Sequence, residues 1–390
     1  MVRQSLYDVI VIGAGASGYA CARAALSNNK TVLILDHASK SLQKVFVSGG
    51  GRCNFTNLEV SDQNYVSGKK GFCNFALERF SNQDFIALMK KYNLKFEKKN
   101  DTQLFAEKGS QAVIKMLEAE TKNADKLFEI GIEKISKNKN FNVETNVGNF
   151  EGKNLVIATG GMSFSQLGAS DFGYKIAKQF RHKVVPVRAG LVGLNFDSEL
   201  LKSTANLKGV SLRVSVNCGD FSINDDILFT HFGLSGPAIL QVSLYWQNGQ
   251  EIIINFAPEI DIETFLKEKR DSSKGLRISS ILNKIFPASL TQFFLQEKDI
   301  FVSEASNKTI TEIAKKINSW TVVPSGSQGF KSAEITLGGV DVNEIDENTM
   351  ESLKESGLFF VGEVLDVSGQ LGGYNLQWAW SSGHLAGGSL

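Results

Sequence analysis

The sequence predicts an α/β chain in which a doubly wound, parallel-stranded domain is interrupted by a β-rich insertion with a small helical part. Three observations predict it. An apolar run at 7–12 (YDVIVI), an alanine-rich helical stretch at 16–27 and a second apolar run at 31–35 (TVLIL) make a βαβ unit at the start of the chain. From about 184 the texture changes to short alternating runs (VVPV, LVGLNF, VSLRVSV, EIIINF), the mark of antiparallel strands. Near 333 the glycine-rich, buried texture returns with AEITLGGVDV. The expected division is therefore a discontinuous domain of 1–190 and 333–390, and an inserted domain of 191–332 whose residues 262–318 are mostly helical.

The remaining elements follow the same patterns. Residues 44–57 read as a glycine-rich loop. Residues 75–92 read as one helix with Phe75, Leu77, Phe80, Phe85, Leu88 and Met89 on its apolar positions, and 110–120 as another. Alternation over 141–157 ends in an apolar strand, followed by a tight turn at Gly160-Gly161 and a helix at 171–181. LFFV at 358–361 is one more buried strand, and a helix begins at Tyr374.

Length and composition bound the function. A chain of 390 residues implies two or three domains, and 42% apolar with 21% charged residues is the balance of a water-soluble globular protein. The net charge of +1 supplies no overall basic excess, so no nucleic-acid partner is expected. Lys98-Lys99 and the lysines of 134–139 read as solvated faces. Four cysteines, Cys21, Cys53, Cys73 and Cys218, form no CxxC pair, so neither a metal site nor a dithiol motif is written here. No signal peptide and no membrane-length apolar run is visible, which leads to the expectation of a cytoplasmic protein with free thiols. Oligomeric state is left open.

The chemistry sits in the glycine clusters. Gly13-Ala14-Gly15-Ala16-Ser17-Gly18 lies between a strand and a helix: one glycine for the tight turn, one for close approach of a pyrophosphate, one for helix–strand packing. The helix start offers free N–H groups to phosphates. Asp36 follows the second strand, where a carboxylate accepts from ribose hydroxyls and repels a 2′-phosphate. Together these point to a bound dinucleotide. Ser48-Gly49-Gly50-Gly51-Arg52-Cys53-Asn54 lets backbone lie against a ligand, with Arg52 as a permanent cation. Cys53, beside that cation, is read as lining or packing in preference to a nucleophile. Ala158-Thr159-Gly160-Gly161 turns sharply after a strand. Gly362-Glu363 and Asp366 offer acceptors for ribityl hydroxyls. Gly372-Gly373-Tyr374-Asn375-Leu376 opens the last helix toward the carbonyl end of an isoalloxazine, where the helix dipole favours negative charge on the reduced ring.

Four long blocks, SGGGRCNFTN, VIATGGMSFSQLGASDFGYKIAKQF, LFTHFGLSGPAIL and GEVLDVSGQLGGYNLQWAWSSG, resemble the BaiN/YhiN-like, or aminoacetone-oxidase-like, family of FAD-dependent oxidoreductases. The resemblance spans nearly the whole chain. It implies an FAD-binding Rossmann-like fold of the glutathione reductase and fumarate reductase flavoprotein type. It also implies non-covalent FAD held by Gly13, Gly15, Ser17, Asp36, Lys44, Gly51, Arg52, Thr159, Gly160, Gly362, Glu363, Gly373 and Asn375, with Ile132 as a further contact. Two positions depart from the family: Asp36 replaces the usual Glu, and Arg181-His182 replaces Gly-His.

Side chains for catalysis are few. His231, in THFGLSGP, and Tyr374 are the candidates for moving a proton. No second GxGxxG is visible, so NAD(P)H is expected only as a transient visitor to the flavin. Three activities stay open at this point: a reductase of a small organic substrate driven by NAD(P)H, with an activated C=C bond as one target; an amine oxidase using oxygen; and a flavin-binding or RNA-modifying protein in which FAD is partly structural.

Overall fold

The computed structural model describes residues 6–390 and divides them into two compact units, the chain up to Ala189 with Glu334–Leu390, and Gly190–Ala333. The first unit is built on β1 (Tyr7–Ile12), α1 (Ala16–Ser27), β2 (Val32–Leu35), β3 (Gly148–Ile157), β4 (Leu358–Phe360) and α2 (Tyr374–Ser389). β1 lies between β2 and β3, parallel to both, and β4 pairs parallel with the last residues of β3. Asp125–Leu127 extends the sheet beyond β2, and the antiparallel strands Phe141–Thr145 and Ile132–Lys137 extend it off the first half of β3. β2 is buried throughout and β1 nearly so, which is why both read as continuous apolar runs. Ile12 pairs in register with Leu35 and Ile157, so the turns that follow three strands meet at one sheet edge.

α2 is the central helix of this unit, and two glycines set its position. A Cβ on Gly383 would stand 2.2 Å from the Ser17 carbonyl oxygen, and one on Gly387 would stand 2.1 Å from that of Cys21. The four-residue step is the same on both helices, so α1 and α2 run parallel in backbone contact. Tyr374 lies nine residues before Gly383 but Ala16 only one before Ser17, so along the shared direction α2 starts about 12 Å before α1 does. Most buried polar groups of α2 are tied down, the His384 Nδ1 excepted: Gln377 donates to Phe80 O at 3.1 Å and accepts from Thr56 at 2.6 Å. Trp378 Nε1 donates to Gly362 O at 3.2 Å, Trp380 Nε1 to Phe55 O at 3.0 Å, and Ser381 to Phe80 O at 2.6 Å.

The second unit holds a seven-stranded antiparallel sheet, in the order Trp320–Val322, Ile252–Asn255, Ser211–Cys218, Phe221–Phe229, Gly233–Ser235, Leu194–Asn195, Gly326–Ser327. Helices Ile262–Ser272, Ile278–Leu282, Ala288–Leu295 and Asn307–Asn318 pack with it around a separate apolar core that includes Phe256, Phe294 and Ile313.

Two stretches differ from the sequence-based expectation. The helix expected over 75–92 is two, Asn74–Arg79 and Asn82–Lys91, because Phe80 is extended and Ser81 with Asp84 forms a capping box that starts the second. The loop expected over 44–57 contains a short helix, Gln43–Val47, and a strand, Asn54–Asn57, that pairs with Gln103–Ala106. Phe221–Phe229 is a strand despite Asn224-Asp225-Asp226, since the hairpin with Ser211–Cys218 leaves these polar residues on exposed or half-buried positions.

Arg181 explains one departure from the family pattern. It sits just past the helix Phe172–Gln179 with φ 65°, where the Arg181 and His182 N–H groups bond back to Lys178 O and Ala177 O. That left-handed end is where glycine is favoured, and a side chain there costs roughly 1–2 kcal/mol. Lys354 offsets part of this by donating to the Arg181 carbonyl at 2.7 Å. Arg181→Gly is expected to raise the urea midpoint by the equivalent of about 1 kcal/mol. In contrast, Gly383→Val is expected to cost about 3 kcal/mol in the same titration and to release the cofactor, because neither helix backbone can yield to the added carbons.

Candidate functional site

The first half of the candidate site is the sheet edge where three turns meet. Gly13 has φ 112°, and a Cβ on it would lie 2.4 Å from Ala158 O; one on Gly18 would lie 2.0 Å from Gly13 O. Both positions exclude any side chain. Gly15 is the opposite case: nothing lies within 4 Å of where its Cβ would be. No side chain caps α1, so the N–H groups of its first turn face that open side. Asp36 Oδ2 accepts from the Ala14 N–H at 2.6 Å and Oδ1 from the Ala38 N–H at 2.8 Å. Each oxygen keeps a lone pair for a sugar hydroxyl. The Asp replacing the family's Glu thus holds the glycine turn itself. The Ile130 N–H donates to Asp36 O at 2.9 Å, which brings the start of Ile132–Lys137 alongside.

Beneath this edge lies an ion pair. Lys44 Nζ donates to Glu363 Oε2 at 2.7 Å and to Ser163 Oγ at 3.0 Å. Glu363 Oε1 accepts from Ser163 Oγ at 2.8 Å and from the Thr336 N–H at 2.8 Å. Thr336 Oγ1 in turn accepts from the Met162 and Ser163 N–H groups. Burial pushes the Glu363 carboxyl up, but Lys44, Ser163 and the Thr336 N–H outweigh it and hold it below the usual carboxylate range. Gly160 and Gly161 pack onto this group, and a Cβ on Gly161 would meet Thr336 Oγ1 at 2.4 Å. Thr159 lies under the same turn, with Gly173 against its hydroxyl. Glu363, read in the sequence as a ribityl acceptor, thus spends most of its capacity inside the protein. Ser163 and Thr336 were not singled out by sequence reasoning; both stand in the glycine-rich segments, but only the fold brings them together.

The second half surrounds the start of α2. Gly372 and Gly373 have φ 125° and 93°, and a Cβ on Gly373 would lie 2.6 Å from Thr56 O. Asn57 donates to Gly372 O at 2.9 Å. With its amide oriented to satisfy both ends, Asn54 accepts from the Gly373 N–H at 3.2 Å. Asn375 locks the preceding turn by bonding both the N–H and the carbonyl of Gly369 at 2.8 Å. No side chain caps α2, which leaves its first-turn N–H groups, up to Leu376, for a ligand. Tyr374 is buried, its carbonyl accepts from Tyr65 at 3.0 Å, and burial raises its phenol above the ordinary value.

The SGGGRCN segment folds back on itself. Gly49, Gly50 and Gly51 all have positive φ, and the Cys53 N–H donates to Ser48 O at 3.0 Å. A cavity of about 390 Å³ opens beside Gly50 and Gly51, walled by Phe46, Lys108 and Ser110 among others. Arg52 lies over the Phe105 ring at 5.1 Å and 3.5 Å from Glu97. Cys53 is fully enclosed and burial pushes its thiol up to about 12, the reverse of an activated nucleophile. Asp366 is raised by burial and by Asp341, and its side chain lies against Gly68. His231 belongs to the second unit, exposed at the turn between Phe221–Phe229 and Gly233–Ser235. Among the described residues no group of three His, Cys, Asp or Glu is placed to hold a metal.

These features fit an adenine–flavin dinucleotide. Two uncapped parallel helix starts offset by about 12 Å along their axes, an open Gly15 and a carboxylate with spare acceptors match its pyrophosphate, flavin and ribose. The family described as HI0933-like protein Rossmann domain matches residues 7–389. The chain belongs to the HI0933-like family. It is 41% identical over 383 residues, 96% of each chain, to the ribosomal RNA dihydrouridine synthase of Escherichia coli K12. A protein of the same name from Haemophilus influenzae is 38% identical over 387 residues, again 96% of each chain. The 3-dehydro-bile acid delta(4,6)-reductase of Clostridium scindens is 27% identical over 400 residues, 97% of each. The HI0933-like chain is an FAD-dependent oxidoreductase with a Rossmann-like fold. Among its described residues no helix is long and apolar enough to cross a membrane.

The ion pair makes a pH-dependent prediction. A depressed carboxylate contributes stability above its unfolded value, ~4.3, and loses it as pH falls through the folded value. Lys44→Met leaves Glu363 buried without its cation, so its carboxyl rises above the usual range. Thermal unfolding followed from pH 8 to pH 4 is expected to show the variant well below the wild type at pH 8 and regaining part of that deficit as falling pH protonates the buried carboxyl, while the wild type loses stability, so that the two curves converge.

Proposed function

We propose that this chain reduces a carbon–carbon double bond conjugated to a carbonyl, and that its substrate is a uridine of ribosomal RNA. The observation that carries the reading is 41% identity to the E. coli ribosomal RNA dihydrouridine synthase across 96% of both chains. A chemical argument supports it. Uridine presents C5=C6 conjugated to the C4 carbonyl, and the name of the bile acid reductase describes double bonds conjugated to a 3-keto group. In both, hydride adds to the carbon remote from the carbonyl and a proton adds to the carbon beside it. Reaction class is then the constant among the relatives, and the substrate the variable.

FAD, when bound, supplies the hydride at its N5 and is itself reduced by a transient NAD(P)H. The residues proposed to hold it are those of Gly13–Gly18, Asp36 and Ile132 at the adenosine end. Lys44, Ala158–Gly161, Gly362, Glu363 and Asp366 hold the middle, and Ser48–Asn54 and Gly372–Leu376 the flavin end. The N–H groups opening α2 would stabilise charge at the ring carbonyls. Tyr374, kept protonated by burial, is the first candidate to deliver the proton, and His231 the second. The expectation of no nucleic-acid partner rested on a net charge of +1, which averages over patches of opposite sign; the present reading departs from it.

The test is anaerobic. Purified yellow protein, NADPH or NADH, and ribosomal RNA lacking dihydrouridine are incubated, and the digested nucleosides are weighed by mass spectrometry. Dihydrouridine formed at a single site, with bleaching of the flavin by the nicotinamide, is the expected result. Bleached flavin that turns over a conjugated steroid ketone but no RNA would reassign the substrate. Peroxide released with an amine would replace the reading by the oxidase alternative.

A further inference from the structure

We infer that the outer face of the helix Asn307–Asn318 in the second unit docks the phosphate backbone of an RNA; this rests on the ribosomal RNA reading above. The helix, started by Ser306 accepting from the Thr309 N–H at 3.1 Å, buries Ile310, Ile313, Ala314 and Ile317. Its other side carries Lys308, Glu312 and Lys316, four residues apart and so in one stripe with a rise of about 6 Å per step. Two further cations extend it. Lys298 donates to Glu312 from the neighbouring segment, where Gln296 accepts from Lys316 at 3.1 Å. Arg270 donates to Asn307 at 2.8 Å and to Ala305 O at 3.3 Å, at the N-terminal end of the stripe.

A solvated helix face ordinarily interleaves signs. Here the single carboxylate of Glu312 faces the ammonium groups of Lys298, Lys308 and Lys316, which all hold it below its ordinary value. Lys316 is itself pushed down, first by burial and then by the nearby Lys298, with Glu312 acting the other way. Over Ile262–Asn318 there are ten Lys and Arg against seven Asp and Glu, a net +3, while the rest of the chain carries −2. The second unit as a whole, Gly190–Ala333, carries fourteen Lys and Arg against fifteen Asp and Glu, a net −1, so the positive charge is confined to this helical stretch. Lysines in a row, without an aromatic side chain among them, suit phosphate contacts that position RNA without reading its bases.

The experiment uses the full-length, FAD-loaded protein and a ribosomal RNA fragment containing the modified uridine. Binding is measured between about 50 and 200 mM KCl. The combined Lys298→Ala, Lys308→Ala and Lys316→Ala variant is expected to bind at least tenfold more weakly. The slope of log affinity against log salt should fall by about 2. Flavin content and bleaching by NADPH should stay as in the wild type. Glu312→Gln, which removes the carboxylate at the centre of the stripe, is expected to bind more tightly, and the triple Lys→Arg variant to bind as the wild type does. Wild-type slope and affinity in the triple alanine variant, or weaker binding by Glu312→Gln, would overturn the inference while leaving the reductase reading intact. Wild-type protein that neither binds nor reduces the fragment would remove the reading beneath it.

Discussion

Backbone contact between α1 and α2 is the constraint on which the first unit depends. Gly383 and Gly387 let the two helices touch where Ser17 and Cys21 present their carbonyls. No side chain in α2 other than hydrogen allows that approach. The contact fixes the offset between the two helix starts, and with it the distance between the place for a pyrophosphate and the place for a flavin ring. Glycine inside a helix ordinarily costs about 1 kcal/mol relative to alanine; here that cost sets a geometric relation that the sheet alone would not impose. The tryptophans and serines of α2 then hold its rotation by hydrogen bonds to Gly362, Phe55 and Phe80, each from a different part of the chain.

The second organising element is electrostatic. Lys44, Ser163, Thr336 and Glu363 come from four separate segments, yet every polar atom of the Glu363 carboxylate has a partner. A buried ion pair of this kind is weak evidence for net stability, since desolvation offsets much of the attraction. Its value lies in specificity. The segment re-entering the first unit at Glu334 must place Thr336 against both the Gly160-Gly161 turn and Glu363, or a carboxylate is left buried and uncompensated. The glycine turn and the acid are thereby held in a single arrangement, whatever ligand lies above them.

Much of this was legible in the sequence, and the limits of that reading are physical. β1, α1, β2 and the glycine turn between them were visible because every signal that defines them is local: two apolar runs, a period change and three glycines at fixed spacing. The return of the chain near 333 was visible as a change of texture. What could not be read were partnerships across hundreds of residues. Gly383 and Gly387 look like interruptions of a helix until Ser17 and Cys21 are set beside them. Thr336 looks like one more β-branched strand residue. Ser81 was readable in principle, because a serine three residues before an acid is a helix start, but the apolar spacing of 75–92 ran through it. Cys53 reads as lining or packing in preference to a nucleophile, although Arg52 stands beside it in the sequence; burial governs the thiol, and the guanidinium lies over Phe105.

The order in which the α1–α2 pair is made has a consequence for biosynthesis. Ser17 and Gly383 are 366 residues apart, and the whole second unit is encoded between them. At about 5–20 residues per second, α1 leaves the ribosome roughly 20–70 s before its partner does. During that interval the alanine-rich face of α1 lacks its cover, while Gly190–Ala333 is a contiguous stretch with its own core. The later-encoded unit is thus the first able to finish folding, and the nascent first unit is the segment that a chaperone would have reason to hold.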